Sequence, residues 1–260
     1  MSKIKIISGW TNPGGSTVAF INLCNLFNEN GLDCTFYGPH DWHLDKCKAG
    51  RLQECAVNEE GENLIVHFLK FPERPESSNK VILACHEKQV FPIKEIKPFW
   101  DDIVYVSESQ MKWQEVTGEI IPNIIFPLIE REKSFVSAGA IGSIDRNKNT
   151  HVSIERALAD GHSEMLLYGL VTDEVYYSEE VKKYVESGYA KIMKHENDKQ
   201  KMYDTLSDVY HSSLSETFNF IKPECEKAGV RYHGLDSAES GAGYWTSEDI
   251  LSKWKELLKV

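Results

Sequence analysis

Residues 3–38 read KIKIISGWTNPGGSTVAFINLCNLFNENGLDCTFYG, and this stretch decides the fold class. Lys3–Ser8 is a short apolar run with the character of a strand. The turn-rich segment GWTNPGGST follows it. From Thr17 the apolar residues Val18, Ile21, Leu26 and Phe27 recur at mostly helical spacing, and Asn30-Gly31 closes the helix. Asp33–Tyr37 is a second strand, ending at Gly38-Pro39. A strand–loop–helix–strand unit of roughly this length implies a parallel pair with a right-handed crossover.

The same alternation runs outward along the chain. Asn63–Leu69 and Lys80–Cys85 are apolar, β-branched runs, as expected of buried parallel strands. Asp102–Val106 is another strand, a helix begins near Ser107, and Glu119–Ile121 is a short strand. Residues 122–134, PNIIFPLIEREKS, carry two prolines and a charge cluster, which places a linker around 125–134. The rhythm then restarts. Strands are expected at Ser137–Ile141, Glu164–Tyr168, Lys191–Met193, Asp208–His211 and Arg231–His233. Helices are expected at Thr150–Asp160, Ser178–Glu186, Lys199–Leu206, Phe218–Ala228 and Ser247–Leu258. The last of these presents Ile250, Leu251, Trp254, Leu257 and Leu258 on one face. The architecture inferred is α/β: two Rossmann-like domains facing a central cleft, with ligands at the carboxyl ends of the strands.

Composition narrows the function. The 260 residues include 29 Lys and Arg against 40 Asp and Glu, a net charge of −11. Such a chain is not attracted as a whole to nucleic acid or to an anionic membrane, although a local basic patch is compatible with it. No apolar run has the length of a membrane span, and Lys3–Ser8 reads as a strand rather than a signal peptide. The six cysteines form no CxxC pair and no zinc-finger spacing with histidine, so they read as reduced thiols of a cytoplasmic protein.

Three segments carry chemistry. Asn12-Pro13-Gly14-Gly15-Ser16-Thr17 joins the first strand to the first helix. It reads either as a tight turn with an N-cap or as a loop that brings backbone N–H groups to an anion. It matches neither the P-loop nor the GxGxxG dinucleotide pattern. Gly142-Ser143-Ile144-Asp145-Arg146-Asn147-Lys148 places two cations just before a helix, where they face water or hold a diphosphate. Glu216 and Glu224 lie eight residues apart, as surface residues or as a pair able to accept sugar hydroxyls.

The order and location of the three segments resemble the retaining GT-B glycosyltransferases of the large family 4 group. The resemblance spans nearly the whole chain in shortened form. PGGSTVAFINLCNLFNENGLDCTFYG looks like the family's glycine loop, first helix and second strand. Ile121-Pro122-Asn123 looks like its junction before the second domain. Gly142 to Lys148 has the spacing of its G-R-x4-K segment, and Glu216 to Glu224 its E-x7-E spacing, followed by Ala228-Gly229-Val230. The patterns GWTNPGG, FYGPHDWH, CHEK and YHSS are similar to the small glycosyltransferases of tailed phages.

The resemblance implies an N-terminal acceptor-side domain at 1–128, a nucleotide-sugar-binding domain at 129–245, and a helix at 246–260 that packs back across the hinge. It implies that Gly14 and Gly15 approach the donor phosphate and sugar. By the same resemblance, Lys148 would neutralise the leaving diphosphate, Glu224 would bind the ribose hydroxyls of the nucleotide, and Glu216 would contact the donor sugar or polarise the reacting face. His86 sits where family members often carry an active-site histidine. The family's arginine is Ser143 here, and Arg146 is the candidate replacement cation. The implied donor is a nucleotide-sugar, UDP-linked in preference, used without an essential metal. The implied acceptor is 5-hydroxymethylcytosine in double-stranded DNA, met by Lys88, Lys94 and Trp100. A carbohydrate or small-molecule acceptor, and a noncatalytic nucleotide-sugar-binding protein, stay open beside it. The oligomeric expectation is a monomer or homodimer.

Overall fold

The structure, a computed structural model, describes residues 3–11, 14–57, 61–69, 79–87, 99–125, 127–131, 137–194, 196, 198–239 and 244–260. The chain divides into two units, Met1–Ile124 with Gly241–Val260, and Ile125–Ser240.

In the first unit the apolar runs become parallel strands. Among the described residues these are β1 (Lys3–Ser8), β2 (Asp33–Gly38), β3 (Ala49–Arg51), β4 (Glu62–His67), β5 (Lys80–Cys85), β6 (Asp102–Tyr105) and β7 (Glu119–Ile120). They form one sheet in the order β3-β2-β1-β4-β5-β6-β7, every pair parallel. Helix α1 (Gly15–Glu29) starts two residues earlier than expected, and α2 (Glu108–Gln114) is capped by Ser107, whose hydroxyl accepts from the Gln110 N–H. Strand β4 stops at His67 instead of Leu69, because Phe68 turns into the left-handed region at φ 52°. Strand β3 was not foreseen: Ala-Gly-Arg lacks the β-branched signal and is held only at the sheet edge by β2.

One face of this sheet packs Ile4, Ile6 and Phe36 against Phe20, Cys24 and Phe27 of α1. The C-terminal helix α7 (Ser247–Leu258) joins that same cluster through Ile250, Leu251, Trp254 and Leu258. Its N-terminus is a capping box, in which Thr246 and Asp249 satisfy each other's backbone N–H. The Trp254 ring meets Phe27 edge-on at 6.2 Å.

The second unit has five described parallel strands: β8 (Ser137–Ile141), β9 (Met165–Tyr168), β10 (Ala190–Lys194), β11 (Leu206–His211) and β12 (Arg231–Gly234). Their order is β10-β9-β8-β11-β12. Helices α3 (Thr150–Ala159), α5 (Lys199–Asp204) and α6 (Ile221–Ala228) alternate with them. The helical run α4 covers 174–186, four residues earlier than the expected start, because Asp173 caps it by accepting from the Tyr176 N–H. Conversely, α6 starts three residues later than the expected Phe218. The Asn219 side chain accepts from the N–H groups of Ile221 and Lys222 and sets the helix start there.

Both sheets reverse their strand order once: the first between β1 and β4, the second between β8 and β11. At such a reversal the loops leave in opposite directions and open a crevice at the carboxyl ends.

Candidate functional site

The crevice of the second unit is built from the loops that follow β8 and β11. Gly142 leaves β8 at φ 127°, a conformation side chains rarely adopt, and its N–H donates to the Tyr168 carbonyl at 2.9 Å. Gly169 lies so close beneath that a Cβ there would stand 1.8 Å from the Gly142 oxygen. Asp145 then organises the loop. Its carboxylate accepts from Ser143 Oγ at 2.5 Å, from the Lys148 N–H at 2.8 Å and from Thr172 Oγ1 at 3.2 Å. Asn147 laces this loop to the one after β11: its carbonyl accepts from the Leu214 N–H, and its side-chain amide exchanges hydrogen bonds with Ser215.

The lacing brings Lys148 to Glu216. Lys148 Nζ lies 2.5 Å from Glu216 Oε1, and His211 Nε2 lies 2.9 Å from the same oxygen. Burial alone would raise the Glu216 carboxyl, but the His211 hydrogen bond and the Lys148 charge outweigh it and hold it at about 2. A cavity beside this cluster is lined by Gly142, Ser143, Lys148, Thr150, His211 and Ser212. Thr150 opens α3, so the cavity borders a helix N-terminus as well as a lysine. That combination favours an anion.

Ser143, Lys148 and Glu216 are therefore brought together, and two other expected residues are not. Arg146 is 59% exposed and pairs with Glu179 at 2.9 Å and Asp173 at 3.4 Å. Those carboxylates hold it at the surface, so it does not replace the missing arginine in this arrangement. Glu224 is 2% exposed in α6, where Lys199 pairs with Oε1 and the Tyr203 hydroxyl donates to Oε2 at 2.9 Å.

In the first unit, Gly14 caps α1 in an extended conformation and Gly15 opens the helix, both just beyond β1. His86 follows β5 and packs its ring 4.4 Å from Phe20 and 5.5 Å from His67. Burial and the neighbouring His67 push its imidazole down to about 3, which favours the neutral ring at physiological pH. Beside it runs a chain that sequence reasoning missed. The Trp10 N–H donates to Ser8 Oγ, Ser8 Oγ lies 2.9 Å from His67 Nδ1, and His67 Nε2 lies 2.5 Å from Glu87 Oε2. Burial works to raise the Glu87 carboxyl, but the His67 hydrogen bond and charge hold it below the usual range.

Of the residues expected to meet an acceptor, Lys88 and Lys94 lie outside the described residues. Trp100 is a core residue: it is 8% exposed and packs with Val81, Leu83 and Tyr105, so its ring faces are not open to a base. Among the described residues no group of His, Cys, Asp and Glu is arranged to hold a metal ion, and no helix is long and apolar enough to cross a membrane.

No protein-family model matches the chain, and no curated protein matches it. Solved structures do match along its whole length. The Anabaena protein HepE, in complex with UDP and glucose, is 11% identical with a TM-score of 0.69, over 100% of this chain and 91% of that one. AviGT4, a glycosyltransferase of avilamycin A biosynthesis, is 14% identical with a TM-score of 0.68, over 98% and 97%. The chain has the GT-B fold. An α-glucosyltransferase in complex with UDP and a 13-mer DNA shares it at 13% identity and a TM-score of 0.61, over 100% and 90%.

Proposed function

We propose that this GT-B chain is a glycosyltransferase that moves a sugar from a nucleoside diphosphate sugar, UDP-linked in preference, to a hydroxyl acceptor with retention of anomeric configuration. The observation that carries the reading is the Lys148–Glu216 pair beside the cavity at the β8–β11 reversal. Breaking the anomeric C–O bond through an oxocarbenium-like transition state builds charge on the departing diphosphate. A preorganised lysine beside the N-terminal end of α3 stabilises that charge more than it stabilises the ground state. Gly142 lets the backbone approach the phosphates. Glu216 turns Lys148 toward the cavity and offers its remaining lone pairs to sugar hydroxyls. Glu224 is assigned to the ribose hydroxyls, with Lys199 the group that yields to them. His86 is assigned to a sugar hydroxyl, as a neutral donor or acceptor. The reaction is proposed to need no metal, and the protein to work in a cytoplasm.

The acceptor we put forward is 5-hydroxymethylcytosine in DNA. The fold shared with a glucosyltransferase held on DNA favours it, and the net charge of −11 weighs against it. The test is to incubate the protein with UDP-sugars and hydroxymethylcytosine DNA in the presence of EDTA, then digest the DNA and weigh the nucleosides. A glycosylated nucleoside supports the whole reading. Sugar transfer to a glycan or small molecule but not to DNA moves the acceptor and keeps the enzyme class. Failure to release UDP with any acceptor overturns the enzyme reading.

A further inference from the structure

His211 ends β11 and is 4% exposed. Its Nε2 lies 2.9 Å from Glu216 Oε1 and 2.8 Å from Ser213 Oγ. An ionised carboxylate has no hydrogen to give, so Nε2 carries the proton and donates to it. In the neutral ring this leaves a lone pair on Nδ1. That atom is buried and has no hydrogen-bond partner among the described residues. A buried polar atom without a partner is costly, and such atoms are commonly completed by a ligand or water. His211 also lines the cavity that Gly142, Ser143, Lys148 and Ser212 line.

We propose that His211 belongs to the diphosphate site itself: Nε2 holds Glu216 in place, and Nδ1 takes up a proton and donates to a phosphate oxygen of the bound nucleotide. The inference rests on reading this cavity as the site of a diphosphate. The proton comes from solvent as the ligand binds. The resulting imidazolium lies between two anions, Glu216 on one side and the phosphate on the other, and both favour it. The other groups packed against the ring are Lys148, which opposes the new charge from the same Glu216 oxygen, and Tyr232 of β12, whose ring stands edge-on at 6.2 Å. Arg156 of α3 is turned to Ser212 Oγ and the His233 carbonyl. The phosphate therefore decides the balance: Lys148 offsets the charge of Glu216, and the phosphate adds a second anion.

Inorganic pyrophosphate is the probe, because it carries the diphosphate chemistry without base or sugar. Calorimetry at neutral pH with EDTA compares the full chain with two variants whose folding is checked by circular dichroism. His211→Gln keeps a group at the reach of Nε2 and nothing at Nδ1; it should weaken pyrophosphate at least about tenfold, the loss of a charge-assisted hydrogen bond. His211→Asn keeps a donor near the Nδ1 position and should bind more tightly than His211→Gln. Nitrogen-15 spectra of the unaltered chain, labelled at histidine, supply a reading that needs no variant: Nδ1 of His211 should become protonated when pyrophosphate is added. The proposal is overturned if pyrophosphate does not bind, if His211→Gln binds within about twofold of the unaltered chain, or if Nδ1 stays unprotonated in the complex. If pyrophosphate binding shows this dependence but no UDP-sugar is turned over, the enzyme reading fails and the phosphate role of His211 stands. If sugar is transferred and His211→Gln binds pyrophosphate normally, only the role of His211 fails.

Discussion

The two sheets reverse at equivalent places, β1 against β4 and β8 against β11, yet the two crevices are filled by different chemistry. In the first, Ser8, His67 and Glu87 form a linear chain in which each buried polar atom meets the next. In the second, Lys148 and His211 converge on one oxygen of Glu216, and among the described residues one ring nitrogen has no partner. The first arrangement runs from a hydroxyl through an imidazole to a carboxylate. The second holds a cation against a cavity and leaves a polar atom unmatched. The strand order supplies the position in both cases, and the loop residues decide whether an anion is favoured there.

Five substitutions sharpen or break this contrast. Lys148→Ala should have the largest effect, lowering turnover about 10²–10³-fold with little change in thermal stability, because it removes the charge proposed to meet the leaving diphosphate. Full turnover in that variant would move the phosphate site elsewhere. Glu87→Ala is the counterpart in the first crevice, and it should leave UDP affinity within about twofold. A loss as large as that of Lys148→Ala would erase the distinction between the crevices. Gly169→Ala should cost about 3 kcal/mol of stability, since its Cβ would strike the Gly142 carbonyl and push the loop out of place. A Tm unchanged in calorimetry would show that the loop is softer than its packing indicates.

The pH dependence follows from the depressed Glu216 carboxyl. A carboxyl held at about 2 in the folded chain and at 4.5 when unfolded contributes stability that is present above pH 4.5 and lost as pH falls toward 2. Glu216→Gln should flatten urea-derived stability against pH in that window, and an unaltered slope would contradict the ionised triad. Ser8→Ala should have the smallest effect, about 1 kcal/mol from the orphaned His67 Nδ1, with UDP binding unchanged. A larger loss in UDP binding would tie the first crevice to the nucleotide.

Legibility in the sequence followed the range of the signal. Lys80–Cys85 and Ser247–Leu258 were readable to the residue, because an unbroken apolar run and an amphipathic stripe with a capping Thr246 are local. Ala49–Arg51 was not, since an edge strand paired on one side needs little β propensity. The starts of α4 and α6 were displaced by side-chain caps from Asp173 and Asn219 that periodicity does not register. Lys148 and Glu216 were singled out by their spacing and the resemblance, and their side chains meet although 68 residues separate them. The Ser8–His67–Glu87 chain was missed, because its members lie 59 and 20 residues apart and meet only where three strands end together. Trp100 misled, because an aromatic near lysines looks alike whether it lines a groove or fills a core.

The central claim is that the β8–β11 crevice binds a nucleoside diphosphate through Lys148. The most direct measurement is the affinity of UDP for the full chain and for Lys148→Ala, by calorimetry with EDTA present. The account expects binding to the unaltered chain and a loss of at least about tenfold in the variant, the worth of one charge-assisted contact to a phosphate. Equal affinities in the two proteins, or no UDP binding to the unaltered chain, would contradict it.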